Sequence, residues 1–340
     1  MRYSNTEVNL SRSVRTATTA LFSAVFAVAF CVSGIAQAVT KPLTIIEEWK
    51  ATAPPPGNYS RHILHILSPD GSLQAHLGPR AFADGLFVKN VATEDDRLIL
   101  KTVGGFDVFS DLSFSPDGQR VMFLAGGGTS YYPHDVFTVR IDGSHLTQLT
   151  NATPMKWLSD DDKYYDVESA IYSPDGRHIL VKVIHGESHE WSVGLLSPDK
   201  PKQDPIRLVE GNPLFWSTDG ASIYYAGEDG IYRINVANKQ SDLAADGKGF
   251  DILGRVPGTN GAFVLKRQSN VIPTNVLTVL SLDGTEVSQE LADEAARIPF
   301  RDSEGRYLQS IDGAGPHQLL LTYVGITTKP NSHQQLVSFQ

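Results

Sequence analysis

The sequence predicts an all-β protein, a β-propeller of six four-stranded blades, with five or seven blades also fitting the count. Three observations carry this. The first is the stretch Ser113–Leu124, in which an alternating apolar strand enters Ser115-Pro116-Asp117-Gly118 and a second apolar strand leaves it. Proline presets φ for a turn, aspartate bonds its own backbone, and glycine accepts the positive φ that closes a hairpin. The second is recurrence. Ser173-Pro174-Asp175-Gly176 and Ser217-Thr218-Asp219-Gly220 repeat the turn, and Val256–Leu265 and Phe300–Leu308 repeat it more weakly. Aligned on Gly118, Gly176, Gly220, Gly261 and Gly305, the copies are 58, 44, 41 and 44 residues apart, and three of these fall within the roughly 40–45 residues of a propeller blade. The third is a second turn inside the unit. Asp142-Gly143 follows Gly118 by 25 residues, Asp283-Gly284 follows Gly261 by 23, and Ser197-Pro198-Asp199 holds the same place after Gly176. Each unit therefore reads as four strands, and such a sheet buries both faces only by stacking radially with its neighbours.

Taken in order, residues 1–38 read as a secretory signal. Arg2, Arg12 and Arg15 precede an apolar run from Leu21 to Val32, followed by Ala36-Gln37-Ala38. A basic region, a short hydrophobic region and an A-x-A site predict cleavage after Ala38, and the run is short for a membrane span. Residues 39–340 are expected to form a single propeller domain. Loss of three arginines and Glu7 takes the formal charge from −9 to −11, which argues against nucleic acid or anionic lipid as partner. The only cysteine, Cys31, leaves with the signal, so no disulfide is expected. Leu43–Trp49 reads as a strand, Ala53–Gly57 with its three prolines as a loop, and Arg61–Leu77 around Ser68-Pro69-Asp70-Gly71 as a hairpin resembling the outer pair of a blade. Phe87–Thr102 holds a further strand pair, and Gln318–Val324 and Gln334–Phe339 supply outer strands of the last blade. How the ring is sealed is not visible at this level.

The segment from Phe114 to Thr150, reading FSPDGQRVMFLAGG and then HDVFTVRIDGSHLTQLT, resembles the blade repeat of the TolB-type propellers. The match is close there and around Ser173 and Ser217, and loose around Gly261 and Gly305. The chain departs from TolB in that too few residues precede the repeats to build an α/β domain. The resemblance implies a secreted or periplasmic module that binds another envelope protein or a peptide. Some propellers with such blades act on uronate oligosaccharides with histidines and a divalent metal, so a lyase or hydrolase acting on an acidic oligosaccharide is the alternative.

In an up-and-down blade the short Asp-Gly turns are first and third connections, so the variable loops gather at the opposite end. The long ones span 125–135, 151–168 and 184–191. They carry the candidate binding residues Tyr131, Tyr132, His134, Asp135, Trp157, Asp160, Asp161, Asp162, Tyr164, Tyr165, His185, Glu187, His189 and Trp191. Aromatic faces beside carboxylates and imidazoles suit sugars, peptides or a divalent cation, though charged loops are also simply solvated. Asp160-Asp161-Asp162 lacks a calcium-loop pattern, and His185-x-x-x-His189 has helical ligand spacing in an expected loop. No catalytic residue and no cofactor is predicted, with Ca, Mn or Zn the cations to consider. The expectation is a monomer, with membrane contact only through an uncleaved N-terminal anchor.

Overall fold

Four successive Ser-x-Asp-Gly turns set the architecture through the same hydrogen bonds. In each, the serine hydroxyl donates to the aspartate, and that carboxylate accepts the amide two residues further on. These bonds are 2.6 and 3.1 Å at Ser68/Asp70, 2.5 and 3.0 Å at Ser115/Asp117, 2.6 and 3.0 Å at Ser173/Asp175, and 2.6 and 3.0 Å at Ser217/Asp219. The glycines have φ of 72°, 68°, 70° and 69°, a region that glycine alone enters freely. Each turn launches two antiparallel strands.

The computed structural model describes residues 45–50, 65–77, 85–101, 108–126, 134–151, 165–185, 190–246, 250–266, 277–314, 317–325 and 332–339. The chain divides into units of residues 1–42 and 43–340, and all described residues belong to the second. The expected secretory signal lies outside them. Six antiparallel sheets follow one another. Blade 1 holds β2 (His65–Leu67), β3 (Leu73–Leu77), β4 (Leu86–Asn90) and β5 (Asp96–Leu100). Blade 2 holds β6 (Val108–Phe114), β7 (Arg120–Gly126), β8 (His134–Arg140) and β9 (Thr147–Gln148). Blade 3 holds β10 (Tyr165–Tyr172), β11 (Ile179–His185), β12 (Trp191–Leu196) and β13 (Ile206–Glu210). Blade 4 holds β14 (Asn212–Trp216), β15 (Ser222–Ala226), β16 (Ile231–Asn235) and β17 (Ser241–Ala245). Blade 5 shows β18 (Phe250–Arg255), β19 (Gly261–Lys266) and β20 (Leu277–Ser281), then helix α1 (Gln289–Arg297). Blade 6 holds β21 (Tyr307–Gly313), β22 (Gln318–Val324) and β23 (Ser332–Ser338), completed by β1 (Ile45–Lys50).

Six blades are thus present, as expected. In blade 5 the three described strands are accompanied by α1, which the sequence reading did not foresee. Ser288 caps the helix by accepting the Leu291 amide at 3.2 Å, and Ala295 and the following Ile298 pack into the core between blades 5 and 6. Four readings are corrected. Gln318–Val324 is β22, the second strand of blade 6 beside the inner β21, and not an outer strand. The hairpin at Ser68 is the inner pair of blade 1, not an outer pair, since β2 stands first in its sheet. In blade 5 the turn glycine is Gly258, φ 72°, while Gly261 opens β19. The turn around Gly305 precedes the inner strand β21, and the β21–β22 connection lies at 314–317.

A buried apolar cluster fills each space between neighbouring blades. Five of them combine large side chains, such as Phe123 with Leu86 and Trp216 with Leu180. The sixth, between blades 6 and 1, consists among the described residues of Ala314, Leu320 and Leu336 with Leu67 against them. There polar contacts take over. The His65 amide donates to Gln334 Oε1 at 2.9 Å, and the buried Gln334 also donates to Thr322 at 3.2 Å. Behind β23, Asp302 accepts from Arg306 Nη1 at 2.6 Å and His333 Nδ1 at 2.8 Å. Burial pushes the Asp302 carboxyl up, but the bonds from His333, Arg306 and two backbone amides outweigh it and hold it at about 2.

The inner strands come closest between blades 5 and 6. A Cβ on Gly254 would stand 1.8 Å from the Ile311 carbonyl oxygen, so only hydrogen fits. Gly254→Ala is expected to lower stability by about 2–3 kcal/mol, the usual cost of forcing an added methyl into close-packed backbone, read as a fall in the urea midpoint. Acid should act on the turns. The Ser68 hydroxyl and the Ser72 donors hold Asp70 at about 2, and Thr285 does the same for Asp283. A depressed carboxyl stabilises fully above the unfolded value of about 3.9, and that contribution fades as pH falls through the folded value. Urea midpoints should therefore drop between about pH 4 and 2, and less steeply in Asp70→Asn combined with Asp283→Asn.

Candidate functional site

The variable end of blades 2 and 3 brings together the starts of β8, β10 and β12 and the end of β11. Registers fix this. His134 pairs with Gly126, Tyr165 with His185, and Trp191 with Ile184. Alternation along each strand then decides which side chains face the core and which the solvent.

His134 sits at the junction of the two blades. Its backbone amide donates to Asp166 Oδ1 at 2.7 Å, and its ring Nδ1 lies 3.2 Å from the same oxygen. That hydrogen bond raises the imidazole above its ordinary value; burial opposes it, and the charges of Asp166, Glu168 and Asp135 add to it. Asp135 points back along its own blade, accepting from Thr150 Oγ1 at 2.6 Å and from Gln148 Nε2 at 2.9 Å. Thr150 in turn accepts the Val136 amide at 2.9 Å, which anchors the chain as it leaves β9. Tyr165 is buried, and burial pushes its hydroxyl up to about 12.

The next residues along form a charged and aromatic stack. Glu168 occupies a bulge in β10, between Val167 and Ser169. Its Oε2 lies 3.2 Å from Lys182 Nζ, and that ammonium stands 3.3 Å from the centre of the Trp191 ring. Lys182 is only 7% exposed, so its charge needs both partners. Trp191 remains 36% exposed, held by the cation beneath it. A second bulge, in β6, puts Asp111 at φ 51°, and its Oδ2 accepts the Ala170 amide at 3.3 Å. The two inner strands are thereby tied together.

Of the residues expected from sequence, the structure brings His134, Asp135, Tyr165 and Trp191 to this one end. Tyr131, Tyr132, Trp157, Asp160, Asp161, Asp162, Tyr164, Glu187 and His189 lie outside the described residues. For His185 only the backbone is described. Among the described residues, no group of three or more His, Cys, Asp or Glu side chains could hold a metal ion. Asp166 and Glu168 fall in the 151–168 stretch expected to be a long connection, but the structure places them in β10, and Lys182 completes the cluster without having been selected. The available signal was Lys182, a lone cation inside Ile179-Leu180-Val181-Lys182-Val183-Ile184, since a lysine in an apolar strand implies a buried partner.

Fold and site together define a six-bladed β-propeller with a polar and aromatic surface at its variable end. No protein-family model matches the chain, and no curated protein matches it. Similar solved structures include TolB from Acinetobacter baumannii, 15% identical over 65% of this chain and 52% of that one, with a TM-score of 0.43. TolB from Agrobacterium tumefaciens, described as putative, is 16% identical over 69% and 76%, with a TM-score of 0.46. A puromycin-hydrolysing peptidase from Mycobacterium tuberculosis is 13% identical over 77% and 40%, with a TM-score of 0.48. The chain spans about half the length of the first of these.

Because the Asp166 bond is the largest influence on His134, Asp166→Asn should move the imidazole titration to lower pH, which NMR of the ring protons measures. In the wild type a raised folded value stabilises fully below the unfolded value of about 6.5 and is lost as pH rises through the folded one.

Proposed function

We propose that this chain is a secreted or periplasmic binding module. Its recognition surface is the variable end of blades 2 and 3, and its ligand a peptide or an extended segment of another envelope protein. One observation carries the reading. Trp191 is presented to solvent on a rigid base, with a buried ammonium beneath the ring and Glu168 fixing that ammonium. An exposed aromatic already immobilised loses little entropy when a ligand covers it, and such anchors dominate recognition. The surrounding His134, Asp166 and Asp135 are likewise held by hydrogen bonds, so polar groups of a ligand meet a preorganised surface. Export rests on the signal read at 1–38. Among the described residues no helix is long and apolar enough to cross a membrane. The module is proposed to act as a monomer, without a cofactor.

The test uses a displayed library of random dodecapeptides panned on the wild-type chain. Selected peptides should bind Trp191→Ala at least about tenfold more weakly, and Leu243→Ala, at an exposed position on β17, with unchanged affinity. Both variants should melt with the wild type. Peptides that bind Trp191→Ala as well as wild type, or panning that yields none, would overturn the assignment. Separately, mass spectrometry of the protein recovered after secretion should show a chain beginning at Val39.

A further inference from the structure

The seam between blades 6 and 1 differs from the other five in what holds it. Its apolar cluster is the smallest among the described residues, and the strand that completes blade 6 comes from the opposite part of the chain. That strand, β1, pairs with β23 from Ile45 opposite Val337 to Lys50 opposite His333, with an irregularity between Ile45 and Glu47. Among its described side chains, Ile45 is 48% and Ile46 49% exposed, and the attachment those side chains show is polar. Gln335 Nε2 donates to Glu48 Oε1 at 2.7 Å, and His333 Nε2, which has no hydrogen-bond partner, lies 3.6 Å from the same oxygen. Residues 51–64, which lie outside the described residues, link β1 to β2 along the chain.

From these features we infer that β1 is an exchangeable strand. When it leaves β23, it exposes a full edge of backbone donors and acceptors, and an open edge recruits another strand. The occupant that fits is β1 of a second copy of this chain, because it brings the same Glu48 to the same Gln335 in the same register. Exchange of an identical element is a low-cost route to a dimer. The closed monomer is the ground state at low concentration, because the linker keeps its own β1 at an effective concentration on the order of millimolar. Dimers gain as the protein concentration approaches that value.

The experiment mixes two full-length variants, both carrying Cys31→Ser to remove the native thiol. One has Glu48→Cys and the other Gln335→Cys. In closed monomers these two thiols never face each other; in a strand-exchanged dimer they lie opposite. After incubation and mild oxidation, the mixed disulfide should exceed either homodisulfide by at least about tenfold and rise with concentration. A mixed disulfide no more abundant than the homodisulfides would overturn the inference. Wild-type protein, free of any folding defect from the substitutions, gives the second arm. It should show a monomer–dimer equilibrium by sedimentation up to about 1 mM, and a chain that stays monomeric throughout would also overturn it.

Discussion

Every blade of this protein has two apolar faces, and only a closed circle covers both faces of all of them. That requirement governs the rest. Trp216 and Phe123 are buried because a neighbouring sheet lies against each, and no blade could keep such residues from water alone. Closure is therefore cooperative: one open seam would expose two faces at once. Blade 6 meets the requirement by drawing its outer strand from residues 45–50, which ties together the first and last of the described strands. The polar group of Asp302, Arg306 and His333 stands behind that junction, with both carboxylate oxygens engaged. Buried charges of this kind stabilise when every partner is present and cost heavily when one is missing.

Rigidity at one end allows variety at the other. The short turns are locked by serine, aspartate and glycine, and they also touch around the ring. A Cβ on Gly176 would lie 3.7 Å from Pro116, and one on Gly220 3.5 Å from Pro174. The opposite end carries the longer connections, and there hydrogen bonds and bulges do the ordering. Glu168 and Asp111 are both bulge residues, where an extra residue re-aims a side chain. That is how carboxylates on two inner strands come to serve the Trp191 stack and the junction between blades.

The fold was legible because turn chemistry is local. Four amino acids suffice to encode a hairpin, and their recurrence gave the blade. The same locality produced the errors. Asp302-Ser303-Glu304-Gly305 makes a genuine aspartate turn, with the Gly305 amide donating to the Asp302 carbonyl at 3.0 Å and the Glu304 amide to its carboxylate at 2.9 Å. Nothing in those four residues says that they precede an inner strand rather than follow one. At Val256-Pro257-Gly258 the positive φ moved to the third position of the turn, so alignment on the next glycine slipped. Of the candidate site, the stretches around the long connections, including 151–168 with its Asp166 and Glu168, could be picked out because they announce themselves in composition. That His134, Tyr165, Asp166, Glu168 and Trp191 lie within strands, and that Lys182 joins them, depends on register and bulges, and those arise from pairing across the sheet.

The pairing of β1 with β23 has one more consequence. Ile45 and Val337 stand opposite each other at the same end of one sheet, so the two extremities of the propeller are neighbours in space. The ring then has no structural first blade. Its order around the axis would survive if a few residues joined the segment before Ile45 to the segment after Ser338 and the chain were opened at another exposed turn. Such a circular permutant would make blade 6 continuous and move the seam to a junction with a large apolar core. The circle itself does not depend on which blade comes first along the chain.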